Sequence, residues 1–368
     1  MNPLDFSQDE IERASRYHAA RYRSLAAGTA LSAALYAVLA WPARGLFGPL
    51  SGLGWAGACA TCAGIVVVLG ELAGLPLAVW NGLVRERRWG FSTQTGRAWL
   101  ADRAKGLVLS LALTAATWTG AVGLARRLPH WWPLVAALGL ALAVLVLSFL
   151  APVVLEPLFN RFRPLEDERL AGELRGLAAR AGVPVRDVLV ADASRRTTKV
   201  NAYVSGLGST RRVVLYDTLL AAAGEPELKI VVAHELGHRR DRHVAQGTLL
   251  GMAGAALAVV LLWALLGTAR VASPRELPLV LLLFVGLELA VLAPGAALSR
   301  RWERAADRIA LELTGDVEAF ERVQVELARK NLADLAPPRL VYLLLFSHPT
   351  ARERLALGRA WASERRVA

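Results

Sequence analysis

Long uninterrupted blocks of apolar residues alternate with charged segments along this chain. A helix needs about 20 apolar residues to cross the hydrocarbon core of a bilayer, which is roughly 30 Å thick. Six stretches approach or meet that length, at residues 25–41, 55–80, 106–124, 131–151, 247–269 and 277–298. The pattern therefore predicts a mainly α-helical, multi-pass membrane protein with about six transmembrane helices.

The segments between these blocks have shorter periods and predict a soluble part. Residues 1–23 read as a charged amphipathic helix, 84–105 as an inner loop and 166–181 as a helix of period near 3.6. Three β-rich runs follow at 187–191, 199–204 and 212–216, and a helix begins at Glu225-Pro226. We expect an N-terminal membrane domain (1–155), a protease domain with a small β-sheet (156–246), two further crossings (247–298) and a C-terminal part of the protease domain (299–368).

Charge decides the predicted orientation of these parts. The net charge is +12, and many basic residues lie in the 84–105 segment and in the large segment between the fourth and fifth crossings. Because positive loops stay on the cytoplasmic side, we expect the soluble part and its active site to face the cytoplasm from the cell membrane. A basic face beside anionic lipid accounts for the excess charge without nucleic acid. Cys59 and Cys62 lie inside an apolar crossing and are interpreted as packing residues.

Candidate chemistry is concentrated in His234-Glu-Leu-Gly-His238, an H-E-x-x-H motif on the predicted helix that begins at Glu225. Residues four apart share one face of a helix, so both imidazoles can bind one Zn²⁺ per chain. Glu235 then lies beside the metal and is predicted to act as the general base for the attacking water. Because the chain has only six His, a chance match to this motif is improbable.

A catalytic zinc site needs a third protein ligand, and Glu303 is the predicted one. It lies four residues before Asp307 on a helical run after the sixth crossing. Taken alone, these carboxylates could simply pair with neighbouring Arg residues on an exposed helix. Beside H-E-x-x-H we expect Glu303 to bind the metal and Asp307 to orient one imidazole.

Two further histidines, His243 and His348, are candidate site residues. A helical angle of roughly 900° from His234 places His243 about half a turn from the ligand face, which favours a structural role. His348 lies in Ser347-His-Pro-Thr350 and could bring a hydrogen-bond donor to the site. Local sequence leaves that role of His348 open.

With these segments in place, the sequence resembles the type I CAAX prenyl proteases, which are integral-membrane gluzincin metallopeptidases. The resemblance runs over nearly the whole chain, from about residue 11 to 357. Beyond the zinc motifs it rests on Glu86-Arg-Arg-Trp-Gly-Phe-Ser-Thr-Gln-Thr95, Pro157-Leu-Phe-Asn-Arg-Phe-Arg-Pro-Leu165, Asn201-Ala-Tyr203, Arg212-Val-Val-Leu-Tyr-Asp-Thr-Leu219 and Ser347-His-Pro-Thr-Ala-Arg-Glu-Arg354.

The resemblance implies roles that spacing alone does not give. Asn201, Ala202 and Tyr203 would form the edge strand that holds the substrate backbone, while His348 and Arg354 would contact substrate or the oxyanion. The implied fold is a ring of membrane helices around a water-filled chamber, with the zinc near its cytoplasmic end. The six predicted crossings are one fewer than the seven of eukaryotic members, and the Ala- and Arg-rich composition suggests a prokaryotic member without prenylated substrates.

The predicted function is therefore a membrane zinc metalloendopeptidase acting on membrane-associated or hydrophobic-ended peptides and proteins. Alternatives are a membrane-protein quality-control protease, a sensor and a non-catalytic zinc-stabilised scaffold. Glu71 and Glu288, each in the middle of an apolar segment, point to the hydrated chamber, because a carboxylate at that depth avoids lipid. The alternative is that each is protonated or bonded to a neighbouring Ser, Thr or Trp. The sequence leaves the oligomeric state and the substrate open.

Overall fold

The computed structural model describes residues 6–206 and 208–367. Within this part of the chain, six helices are long and apolar enough to cross a membrane, as predicted. The helices of the N-terminal half are α1 (Gln8–Ala40), α2 (Gly54–Val79), α3 (Glu86–Arg88), α4 (Gly96–Arg127), α5 (Trp132–Leu150) and α6 (Glu156–Phe159). A 3₁₀ segment (Arg44–Leu53) precedes α2, and π-helical turns (Trp80–Arg85 and Ala151–Leu155) follow α2 and α5.

The first helix is longer than predicted, because its charged and apolar segments form one continuous element. Ser7 begins α1 with a capping box, in which its hydroxyl accepts from the Glu10 N–H and the Glu10 carboxylate accepts from the Ser7 N–H. The division into an amphipathic helix at 1–23 and a crossing at 25–41 is therefore wrong. Residues 1–5 of that prediction lie outside the described residues.

The predicted inner loop at 84–105 is also wrong over most of its length. The helix that starts as α2 continues through the π-helical turn to Arg88, and α4 already begins at Gly96. The Thr95 hydroxyl caps α4 by accepting from the Ala98 N–H. The Arg-rich residues between the two apolar blocks are largely helical and extend both helices beyond their apolar segments. The loop between the helices therefore spans only residues 89–95.

The soluble part has a four-stranded mixed sheet flanked by helices. Its elements are β1 (Phe162–Pro164), α7 (Glu168–Arg180), β2 (Asp187–Ala191), β3 (Ala202–Ser205), β4 (Arg212–Tyr216), α8 (Asp217–Ala222) and α9 (Glu225–Arg240). The strand order is β1-β2-β4-β3, with β2 and β4 parallel and the other pairs antiparallel. The apolar faces of α7, α9 and the sheet share one core. This core holds α9 against β3, which lies at an edge of the sheet formed by the described residues.

The remaining chain returns to the membrane and then back to the protease part. It consists of α10 (His243–Val271), α11 (Leu277–Thr314), α12 (Val317–Asn331), α13 (Arg339–Leu345) and α14 (Ala351–Val367). Helix α11 runs without a break from its apolar segment into the stretch that carries Glu303 and Asp307. The domain boundary predicted between residues 298 and 299 therefore falls inside one helix, between its apolar segment and the segment that carries Glu303 and Asp307.

The membrane helices contact one another in the ring order α1, α2, α4, α5, α10 and α11, and α11 packs on α1. An apolar cluster, including Leu39, Trp118, Trp132 and Leu262, joins the helix ends that lie far from α9. Cys59 and Cys62 are fully buried free thiols in this cluster, in agreement with a packing role. Apolar side chains thus pack together at one end of the ring, and the protease part lies at the other.

Candidate active site

Helix α9 presents the H-E-x-x-H residues because its other face is held in the core. Gly224 precedes the helix, Pro226 lies in its first turn, and Leu228, Val232 and Leu236 pack against the sheet. With those positions buried, His234 and His238 project from the opposite side, toward α11. The sequence pattern thus fixes both the helix and the direction of the two imidazoles.

Gly237 allows α11 to approach this face closely. A Cβ atom at Gly237 would lie 3.0 Å from Ala306 Cα and 3.2 Å from the Ala306 carbonyl oxygen. Contacts of this length are tighter than most Cβ atoms make, so the absence of a side chain at Gly237 lets the two helix backbones lie close together. The approach carries Glu303, one turn before Asp307, to the two histidines.

His234, His238 and Glu303 converge on one point. His234 Nε2 lies 3.3 Å from His238 Nε2 and 3.2 Å from Glu303 Oε2, and His238 Nε2 lies 3.3 Å from Glu303 Oε1. Ligand atoms about 2.0–2.1 Å from a tetrahedral metal are separated by about 3.3–3.4 Å. Glu303 Oε2 is also enclosed, and its close polar neighbour is His234 Nε2, itself a candidate ligand. Both the spacing and the enclosure fit a metal ion bound by all three residues.

Asp307 and Arg354 hold the first of these ligands. Asp307 is completely buried, and its Oδ1 lies 2.9 Å from His234 Nδ1. The Arg354 guanidinium donates to both Asp307 oxygens, with Nε 2.8 Å from Oδ2. An Nδ1–H that donates to Asp307 leaves Nε2 of His234 free for the metal. Arg354, predicted to contact substrate, lies against Asp307 and also borders the cavity beside the site.

His243 contacts the other imidazole, in a place that the helical angle did not predict. Its Nδ1 lies 3.0 Å from His238 Nδ1, and its ring stacks on Trp302 with centroids 5.2 Å apart. The angle assumed one continuous helix, but α9 ends at Arg240 and Arg242 has φ of 57° before α10 begins. This break turns the chain back toward the ligands, so that the estimate for His243 is wrong.

Burial and neighbouring charges shift the pKa values of two side chains on α9, Glu235 and His234. Burial raises the pKa of Glu235, as expected for a carboxylate that is to accept a proton near neutral pH. Burial opposes the charged form of His234, but Asp307 and Glu303 at its two ring nitrogens raise the pKa of His234 to about 9. Without a metal, this imidazole is therefore held as the cation between two carboxylates.

The edge strand β3 borders the same cavity as Glu235. The Asn201 carbonyl accepts from the Tyr216 N–H, so the backbone groups of Asn201 face β4 and those of Ala202 face outward. Asn201 and Ala202 line the cavity, in agreement with their predicted position. Tyr203 does not: its hydroxyl lies 3.4 Å from Glu156 and its ring packs against Tyr216, on the face of the strand opposite to the Ala202 side chain.

Two side chains that the sequence did not single out limit this edge. Asn331, at the end of α12, accepts from the Val200 N–H and donates to the Val200 carbonyl. This explains why β3 begins three residues later than predicted. At the other end, Arg239 donates to the Val204 carbonyl. The outward edge between these two contacts is therefore centred on Ala202, whose N–H donates to Asn201 Oδ1 at 2.9 Å and whose carbonyl faces away from β4.

His348 completes the group on the solvent side. Its Nε2 lies 3.2 Å from Glu303 Oε1, and the side chain is 61% exposed. It borders the cavity together with Glu235 and Asn201. The sequence left this role open, and the structure brings His348 to the ligand group.

Family models match both parts of the chain. A model described as peptidase family M48 matches residues 164–362, which include all three candidate ligands. The chain belongs to peptidase family M48. A second model, described as the CAAX prenyl protease N-terminal region with five membrane helices, matches residues 5–161.

Relatives and a solved structure agree with the M48 assignment. The chain is 33% identical over 302 residues to an uncharacterized metalloprotease, YhfN, of Bacillus subtilis (strain 168), covering 79% of this chain and 71% of that protein. It is 29% identical over 320 residues to CAAX prenyl protease 1 of Saccharomyces cerevisiae, covering 79% and 70%. The crystal structure of S. mikatae Ste24p shares the fold with a TM-score of 0.80 at 24% identity, over 96% of this chain and 89% of that one. The predicted family, a membrane metalloprotease resembling the CAAX prenyl proteases, is confirmed.

Proposed function

We propose that this M48 protein is a zinc endopeptidase that hydrolyses peptide bonds of membrane-associated or hydrophobic-ended peptides and proteins at the cytoplasmic face of the cell membrane. The convergence of His234, His238 and Glu303, with Glu235 beside them, is the observation that carries the proposal. Two imidazole nitrogens and one carboxylate are the ligand set of catalytic zinc sites that keep an open position.

Each group beside the ligands has a proposed part in the reaction. Bound zinc would polarise the scissile carbonyl and lower the pKa of a water molecule. Glu235 accepts a proton from the attacking water as the new C–O bond forms, and passes it to the leaving amine nitrogen as the C–N bond breaks. His348 donates a hydrogen bond to the carbonyl oxygen as negative charge develops there. Asp307 and Arg354 hold His234 in orientation.

Substrate is proposed to bind as an added strand along the outward edge at Ala202. Because Asn331 and Arg239 close that edge on either side, only a short extended segment can pair there. Flexible or membrane-delivered segments meet this requirement, and compact folded proteins do not. The relatives named CAAX prenyl protease make a lipidated peptide one substrate to test beside its unlipidated form.

Replacing the proposed base separates chemistry from metal binding. In purified protein, Glu235→Gln should keep about one zinc per chain and lose at least about 100-fold in turnover of a quenched-fluorescent peptide, because the proton acceptor is absent while the ligands remain. Near-normal hydrolysis by the variant would remove Glu235 from its role. Metal content by elemental analysis of the protein as isolated tests zinc against other divalent ions.

A scaffold with a purely structural zinc would tolerate this replacement in cells. Membrane proteomes of cells carrying the wild-type or Glu235→Gln protein should therefore differ by accumulated substrates in the variant. The identity of those proteins also distinguishes a processing protease, which has few specific substrates, from a quality-control protease, which has many unrelated ones.

A further inference from the structure

A cavity of about 300 Å³ lies between α9, α12 and the chain leading into β3. His234, Glu235 and His348 border one side of it, and Asn201 and Ala202 border the proposed substrate edge. The remaining wall is mainly aliphatic and includes Ile230, Val231, Val323, Leu327 and Ala328. A peptide paired at Ala202, with its scissile carbonyl beside Glu235, would direct one flanking side chain into this space.

Gln324 and Asn331 are the polar side chains in the otherwise aliphatic wall contributed by α12. Gln324 is only 4% exposed and borders the cavity, yet its carboxamide makes no hydrogen bond to any residue that the structure describes. Asn331 on the same helix also borders the cavity, but its amide is satisfied by both backbone groups of Val200. Buried amides are normally hydrogen-bonded, so the unpaired one at Gln324 is available to a ligand.

We propose that Gln324 determines specificity by hydrogen-bonding the substrate side chain next to the scissile bond. This inference rests on the proposed function and adds a substrate class to it. The aliphatic wall favours an apolar stem, and the carboxamide favours an uncharged end that can donate or accept a hydrogen bond. Tyr, Thr and Gln should therefore be preferred at this position over Phe, Val and Met, which have similar sizes and lack that end.

The preference follows from the state of the amide when substrate is bound. A purely aliphatic side chain would exclude water from the cavity and leave the carboxamide without a partner, whereas a hydroxyl or amide end would satisfy it. Arg354 also borders the cavity, but its Nε and Nη2 atoms already donate to Asp307. Gln324 is thus the neutral polar group on α12 that we expect to distinguish Tyr from Phe, Thr from Val and Gln from Met at this position.

The test uses full-length, zinc-loaded protein in detergent and three pairs of quenched-fluorescent peptides that differ only at this position: Tyr against Phe, Thr against Val, and Gln against Met. Wild-type protein should cleave the hydrogen-bonding member with a kcat/KM about 3–10-fold higher, the size of one net hydrogen bond. Gln324→Met should abolish or reverse that ratio in all three pairs. Gln324→Asn, which keeps an amide on a shorter stem, should restore part of it.

Gln8→Met is the matched control, because Gln8 is exposed in the first turn of α1, bonds Glu12 and does not line the cavity. It should leave every ratio unchanged. Equal cleavage of both members of each pair by wild-type protein overturns the proposal, even where Gln324→Met does not fold. Wild-type ratios that persist in a folded, zinc-loaded Gln324→Met protein also overturn it. A wild-type protein that binds zinc but cleaves none of the peptides instead contradicts the proposed function.

Discussion

At the scale of single residues, the sequence predicts the group of candidate ligands and the partner Asp307, and it carries less information on the other contacts of the site. His234, Glu235 and His238 follow from one spacing on one helix, and Glu303 follows from the need for a third ligand. His243 was misplaced because a single left-handed residue, Arg242, restarts the helix. Asn331 and Arg239 act only through chain segments that folding brings together, and local sequence carries no signal for such contacts.

Metal affinity should depend on pH through His234. Its pKa is raised to about 9, so below that pH the metal-free imidazole carries a proton that the metal must displace from Nε2. Apparent zinc affinity should therefore rise by about tenfold per pH unit until pH approaches that pKa, and should rise more slowly above it. Competition with a chromophoric chelator, at pH values below and above that pKa, measures how the apparent zinc affinity changes with pH.

Two variants at the same site serve as controls for that titration. Asp307→Asn removes one of the carboxylates that hold the proton, so its curve should flatten at lower pH while the affinity falls by about 10–100-fold. Glu303→Ala removes a ligand and should lose most of the metal at every pH. A wild-type affinity that does not change with pH would mean that no proton competes at His234.

At the scale of elements, prediction succeeded where the chain's own pattern determines structure. Strands β2 and β4 were predicted with the observed bounds, because each is a short run of Val and Leu between turn residues. Strand β1 was missed, since Phe162-Arg-Pro is three residues long and acquires its pairing only from β2. The continuation of α2 through the π-helical turn to Arg88 and both ends of α4 were missed, because hydropathy marks the apolar layer and carries no information on where a helix ends.

The close contact between α9 and α11 gives an element-scale prediction. Gly237→Ala places a methyl group 3.0 Å from Ala306 Cα, a tight contact that we expect α11 to relieve by shifting, with Glu303, by a few tenths of an ångström away from the histidines. We expect a loss of about 1–3 kcal/mol in stability, as for other overpacked sites, together with reduced zinc content and activity. Thermal unfolding and elemental analysis measure the two effects.

Gly172→Ala is the matched control for that change. Gly172 lies in the interior of α7, and nothing lies within 4 Å of a Cβ added there. Its replacement should leave zinc content unchanged and stabilise the protein by up to about 1 kcal/mol, the difference in helix propensity. If both variants keep full zinc and activity, the contact at Gly237 does not set the position of Glu303.

At the scale of the whole molecule, the orientation in the membrane is the first prediction. The positive loops predict that the protease part lies in the cytoplasm. In a Cys59→Ala/Cys62→Ala background, a cysteine at Glu166, whose side chain is 85% exposed, should resist a membrane-impermeant thiol reagent in intact cells. A cysteine at His130, exposed between α4 and α5, should react. The opposite pattern would invert the orientation.

The last prediction concerns the space inside the helix ring. Glu71 pairs with a cation, because its Oε1 lies 2.6 Å from Arg103 Nε. Glu288, in contrast, is exposed and borders a cavity of about 480 Å³ between α1, α2 and α11, which is also lined by Tyr36 and Asn81. A carboxylate facing lipid at that depth would cost about 2.5–3.5 kcal/mol, so water on this side of α11 is the simpler explanation.

A cysteine at Glu288 tests this directly, and is preferable to one at Glu71, whose removal would leave Arg103 without its partner. In detergent-purified protein with Cys59 and Cys62 replaced, Glu288→Cys should react with a small, charged, water-soluble thiol reagent. Ala290→Cys, also exposed but about 200° further round the helix, should react far more slowly, because that face is covered by detergent. Equal and slow reaction at both positions would argue against a hydrated chamber and leave the metal site unaffected, since that site rests on contacts at the other end of α11.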